Sequence, residues 1–201
     1  MSFKKAYKHL KTICAHRRQV RKNCFRMGLY WQGLTHDLSK FSWAEFRIGA
    51  KYFMDDQSPH NGERAEYGYS TAWLHHKGRN KHNLEYWVDY AAADGKDAES
   101  HKGMCGMKMP IRYVAEMFID RLSASKNYKG DQYNDNCPLE YYERGRGAYL
   151  IHPDTEALLV YLLTMLAKRG EKETFSFIKY ELLKGKVPYE KEELDRRREA
   201  L

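Results

Sequence analysis

Several features are missing from this 201-residue sequence. No apolar run approaches the ~18 residues with which a helix crosses a bilayer. The opening Met1-Ser2-Phe3-Lys4-Lys5 leads into a charged amphipathic segment without the apolar core of a signal peptide. A cytoplasmic protein with no membrane partner is the expectation. The four cysteines, Cys14, Cys24, Cys105 and Cys137, have no C-x-x-C spacing, so they read as reduced thiols and not as a disulfide framework or a cysteine-rich zinc module. Apolar alternation of period two is nowhere sustained, and there is no internal repeat or low-complexity tract. A sheet is therefore not expected, and the length suits one compact domain.

What is present is helical periodicity and positive charge. The formal net charge of +8 points to polyanionic or phosphorylated partners, although the basic residues are spread over many predicted helices. Phe3, Tyr7, Leu10, Ile13, Cys14, Val20, Cys24 and Met27 recur at helical steps as one apolar stripe and end near Gly28. His16 falls beside that stripe, and His9 lies one heptad earlier. A short helix from Leu29 to about Leu38 is predicted next, with His36 and Asp37 at its C-terminal end. Ser42-Trp43-Ala44-Glu45 has capping-box spacing and starts a third helix through about Phe53. A polar loop is expected over 55–62, then a helix capped by Ser70 that carries Trp73, His75 and His76 and is interrupted by Gly78. Leu84 to Tyr90 resumes a helical pattern, and a second loop covers about 94–109.

Pro110 suits the first position of a helix whose buried stripe is Ile111, Val114, Ala115, Phe118, Ile119 and Leu122. Asp120 is the misfit there, because a carboxylate bordering so apolar a face needs a partner, either Arg121 or a metal. Pro138 starts a short helix broken by Gly145-Arg146-Gly147. Two core helices follow, from Thr155 to Lys168 and from Glu171 to Lys184, separated by Gly170. The fold class is all-α: a single-domain helical bundle over 1–188, with a charged tail or exposed helix over 189–201.

The inward polar residues form an ordered set: His16, then His36-Asp37, then His75-His76, then Asp120, each on a different predicted helix. Imidazole and carboxylate together suit a divalent cation, and convergence of several helices is one way for a bundle to hold it. His36-Asp37 taken alone has a competing reading, in which Asp37 caps or salt-bridges and His36 merely packs.

In this order the residues resemble the HD superfamily of metal-dependent phosphohydrolases, whose ligands run His, His-Asp, Asp along a helical chain. His16-Arg17-Arg18-Gln19-Val20 looks like the first histidine, His36-Asp37 like the name-giving pair and Asp120 like the final aspartate. Ser39 is similar to the branch that hydrolyses deoxynucleotide monophosphates, and Lys40 to the cyclic-dinucleotide phosphodiesterases. Over almost its whole length the chain also resembles a small uncharacterised bacterial and phage family, through segments such as Gly28 to Asp37 and Trp73 to His82. Some of those relatives carry the label catalase, but nothing here forms a haem-catalase site.

The resemblance implies an HD-like bundle with one or two divalent ions (Mn, Co, Fe, Mg, Zn or Ni) held by His16, His36, Asp37 and Asp120, with His75 or His76 serving a second ion bridged by Asp37. It implies a metal-activated water attacking a nucleotide or other small phosphoester, with His36, Asp37, Lys40 and His75 in the chemistry and Lys40, Arg79, Asn80 and His82 on the substrate. Two other classes stay open. One is a di-iron oxygenase, for which His76 and His101 before Asp120 are suggestive; the other is a non-catalytic module binding nucleic acid through its basic surface. Trp31, Trp73, Tyr86 and Trp87 read as core residues before they read as a base-stacking platform.

Overall fold

The computed structural model describes residues 2–54, 57–90 and 103–201. They form a predominantly helical single-domain bundle with one minor two-stranded hairpin. Its framework is three long helices: α1 (Phe3–Arg26), α6 (Ile111–Lys129) and α8 (Pro153–Tyr180). Shorter helices lie between and after them: α2 (Tyr30–Thr35), α3 (Trp43–Lys51), α4 (Pro59–Tyr67), α5 (Thr71–Lys77), α7 (Cys137–Gly145) and α9 (Lys191–Glu199). The core sits where α6 meets α8. Phe118, Ile119, Leu122, Leu158, Leu162, Leu166 and Ile178 have no solvent exposure there, and each such side chain contributes about 1.5–3 kcal/mol of burial. Among the described residues no helix is long and apolar enough to cross a membrane, and all four cysteines are free.

Local chemistry sets most boundaries. Ser42 Oγ accepts from the Glu45 N–H at 3.4 Å, and Ser70 Oγ accepts from the Trp73 N–H at 3.0 Å, so both expected caps start their helices. Gly170 (φ 74°, ψ 175°) kinks α8 into the two segments expected from sequence. Where a helix was expected from Leu84 to Tyr90, only a 3-10 turn (Leu84–Trp87) forms. It runs into strand β1 (Val88–Tyr90), which pairs antiparallel with β2 (Met104–Gly106). Gly106 lets the backbone of Ile151 and His152 pass close against the hairpin, since a Cβ there would lie 2.6 Å from it. The expected 55–62 loop gives way to α4 at Pro59, a residue suited to a helix's first turn. Residues 91–102, including His101, lie outside the described residues. The charged tail docks on α8 as α9, with Leu194 fully buried. Trp31, expected in the core, is 73% exposed.

A candidate metal centre

The His36-Asp37 pair lies in the break after α2, not within a helix. The helix ends at Thr35, His36 is extended (ψ 125°), and Asp37 turns left-handed (φ 55°) before a 3-10 turn over Leu38–Phe41. Asp37 is the only non-glycine described residue with positive φ, a conformation that costs about 1 kcal/mol and that aspartate tolerates better than most. The turn directs both side chains inward: His36 is 2% exposed and Asp37 fully buried.

Around Asp37 the side chains form two groups, one at each carboxylate oxygen. At Oδ2, His36 Nε2 lies at 3.4 Å and His16 Nε2 at 3.8 Å. Asp120 Oδ1 closes that group at 2.9 Å from His16 Nε2 and 3.3 Å from His36 Nε2, and the two Nε2 atoms are 3.4 Å apart. At Oδ1, His76 Nε2 lies at 3.3 Å and His82 Nε2 at 3.4 Å. Donors bound about 2.1 Å from one ion at right or tetrahedral angles stand roughly 3.0–3.4 Å from each other. Most of the observed spacings fall in that interval.

The histidines are held from behind. His36 Nδ1–H donates to Glu116 Oε1 at 2.9 Å, and His82 Nδ1 is 3.3 Å from the same oxygen. His76 Nδ1 lies 2.9 Å from Glu45 Oε2, and His16 Nδ1 lies 3.4 Å from Asn127 Nδ2. Four imidazoles thus turn Nε2 inward and present Nδ1 to a polar group, three of them to a carboxylate. That is the usual support of a metal-bound histidine.

The charge balance favours a cation. Burial alone would raise the pKa of all four carboxyls, but the neighbouring cations and hydrogen bonds outweigh it. Asp37 is held well below the usual carboxylate range by His36, Lys40, His76 and His82, and Asp120 likewise by His16 and His36. Glu45 and Glu116 are lowered by their histidines. Burial pulls His36 down, but Asp37, Asp120 and Glu116 carry it up to about 10. Burial lowers His16 despite Asp120. Lys40 Nζ is 2.6 Å from Asp37 Oδ2; burial disfavours its charge, yet Asp37 and Asp120 hold its pKa above the usual value. Even so, neither Asp37 oxygen has a hydrogen bond of good geometry. A buried carboxylate without such bonds is expensive, and divalent ions facing its two oxygens would satisfy it. The donor set therefore fits metal: His16, His36, Asp37 and Asp120 for one ion, and Asp37, His76 and His82 for a second.

The expected site residues divide accordingly. His16, His36, Asp37, His76 and Asp120 come together. His75 joins neither group, because successive helical residues point about 100° apart; its Nδ1 lies 2.7 Å from Glu45 Oε1 instead. His82, expected on the substrate, takes the place beside Asp37. Asn80 puts it there by donating to His76 O at 2.8 Å and Ser39 Oγ at 2.7 Å, which folds the chain back after α5. Arg79 is exposed and donates to His75 O. His9 is buried against Phe46 and Phe53, away from both groups. Arg121 does not partner Asp120; its guanidinium lies over the Tyr142 ring at 5.4 Å. Glu116 and Glu45 were not expected in this role. Glu116 carried a signal, standing one helical turn before Asp120 on the same face; Glu45 carried none beyond its capping position.

A cavity of about 420 Å³ opens beside the first group, lined by His16, Asp37, Lys40 and Asp120 together with Lys11, Thr12, Asn127 and Tyr128. Trp73, His60, Phe53 and Pro59 form another part of its wall. Burial raises the Tyr128 pKa and Lys40 opposes that rise, so the phenol stays a hydrogen-bond donor at neutral pH.

The model of a family described as "Family of unknown function (DUF5662)" matches residues 5–165, and the chain belongs to that family. No curated protein and no solved structure matches it.

Proposed function

We propose that this member of the family is a metal-dependent phosphohydrolase that takes a nucleotide or other small phosphoester. The observation that carries the reading is Asp37: one fully buried carboxylate, without well-formed hydrogen bonds, whose two oxygens face two separate histidine groups. The order His16, His36-Asp37, Asp120 agrees with the HD-superfamily resemblance. Bound there, divalent ions supply a water acidic enough to ionise near neutral pH and offset negative charge on a phosphoryl group.

The protein's own groups favour an anionic substrate. Lys11, Lys40, Asn127 and Tyr128 bring positive charge and N–H or O–H donors to the cavity, while Asp37 and Asp120 would be turned to the ions. Lys40 stays an ammonium, so it acts as a positive charge for a phosphate oxygen and not as a base. Glu116 and Glu45 fix the histidine rings with Nε2 turned toward Asp37, where an ion would replace any proton on it. In the reaction a water oxygen bonds to phosphorus, the ester P–O bond breaks, and the leaving alcohol departs with a proton.

The test is release of phosphate from a panel of nucleotides, and of the alcohol from phosphodiesters, with added Mn, Co, Mg or Fe. Activity in the wild type that is lost in His36→Ala and Asp37→Ala is expected; activity surviving both changes would sink the assignment. Four imidazoles and two carboxylates are also a donor set that iron accepts, which favours a second reading as a di-iron oxygenase. Oxygen consumption by iron-loaded protein, without hydrolysis of any phosphoester, would select it.

A further inference from the structure

Helix α1 carries nine basic residues and no acidic one. At about 100° per residue, Lys4, Lys11, Arg18 and Lys22 fall within roughly 40° of one another. That face is opposite the buried Ile13 and Val20. All four are exposed, and among the described residues no carboxylate pairs with them. The row is about 27 Å long at 1.5 Å per residue. It is tied to the candidate centre, because Lys11 also lines the cavity beside Thr12 and His16. Along the edge of the row Phe3 is 96% and Tyr7 69% exposed, one helical turn apart.

We propose that the outer face of α1 is a track for single-stranded nucleic acid that passes the cavity at Lys11. Lysine and arginine in a row neutralise successive phosphates, and exposed aromatic rings beside them offer stacking surface to bases. A duplex hides its base faces, so Phe3 and Tyr7 favour a single strand. An anionic membrane fits less well, since from Ile13 onward the apolar face of α1 is committed to the core through Ile13, Val20 and Cys24. That leaves too short an apolar stretch to lie in a bilayer. Resting on the phosphohydrolase reading, the consequence is that the phosphoester reaching Lys11 and Lys40 is a backbone phosphodiester.

The experiment is fluorescence anisotropy of a labelled 20-nucleotide oligo-dT with the full chain, titrated at several NaCl concentrations. Four phosphate contacts on a single strand give a log–log salt slope of about −3, or roughly 50-fold weaker binding at 200 mM than at 50 mM. In the triple variant K4A/R18A/K22A the slope falls to about −1, roughly a threefold loss over the same range. The variant's circular dichroism spectrum and thermal midpoint stay at the wild-type level, which shows that it is folded. No binding by the wild type, a slope unchanged in the variant, or binding only to phosphatidylserine vesicles overturns the track. Oligonucleotide binding with the expected slopes in a protein that hydrolyses no phosphoester upholds the track and removes the hydrolase reading alone.

Discussion

His36 Nδ1 lies 2.9 Å from Glu116 Oε1, with the histidine side chain sealed from solvent and the glutamate nearly so. The same oxygen is 3.3 Å from His82 Nδ1, so one carboxylate of α6 orients a histidine from each candidate ion group. Glu116→Gln keeps an acceptor but removes the charge. Metal affinity should fall about 10–100-fold, read by competition with a chromogenic chelator, while the circular dichroism spectrum is retained. Wild-type affinity in the variant would show that Glu116 only packs.

The neighbouring histidines of the α5 region should behave differently. Wild-type protein is expected to bind two ions per chain, His82→Ala one, and His75→Ala two, because His75 faces Glu45 and neither Asp37 oxygen. Metal content by mass spectrometry after dialysis decides this, and a loss in H75A equal to that in H82A would contradict the arrangement.

Asp37 gives a stability test independent of turnover. A divalent ion at about 100 times its Kd stabilises the folded state by about 2.7 kcal/mol, which for a chain of this size is roughly 5–10 °C in Tm. Asp37→Asn should abolish most of that increment, since both groups lose the charge they share. Differential scanning fluorimetry with and without chelator reads it; an equal increment in D37N would remove Asp37 from the metal site.

Acid sensitivity should arise at His9. Burial, then the charge of Lys40, lowers its pKa to about 4, and the same two causes lead in lowering that of His60 to about 3. Both are neutral when folded at pH values where the unfolded chain takes up a proton. The stability they contribute is thus complete above pH ~6.5 and lost as pH falls from there through their folded pKa values. The urea midpoint of metal-free protein should drop across that window, and His9→Gln should flatten the drop. Gly49→Ala probes the same contact, because a Cβ there would lie 2.1 Å from His9 Nε2; a destabilisation of about 1–3 kcal/mol is expected.

Much of the bundle was legible in the sequence because its signals are local. Apolar periodicity located α1, α6 and α8, serines placed the starts of α3 and α5, and Gly170 marked the kink in α8. His16 and Asp120 were legible as candidate ligands for a related reason: each is a polar residue at the edge of a helix's buried face, so helical geometry fixes its direction. The hairpin was not legible, since three-residue strands are too short to display alternation and their pairing joins residues far apart in the chain.

His82 and Glu45 belong to the second class as well. His82 follows α5 in a turn, where spacing carries no direction, and it is the hydrogen bonds from Asn80 to His76 and Ser39 that bring its ring beside Asp37. Glu45 meets His75 and His76 only because α3 packs on α5. The sequence by itself determined the helices and the residues His16, His36, Asp37 and Asp120, through rules that act within a few residues. Tertiary structure alone decided that His82 and not His75 faces Asp37, that Asp37 turns left-handed to present one oxygen to each group, and that Glu116 stands behind two histidines. Those facts depend on where separate segments cross, and no local pattern encodes a crossing.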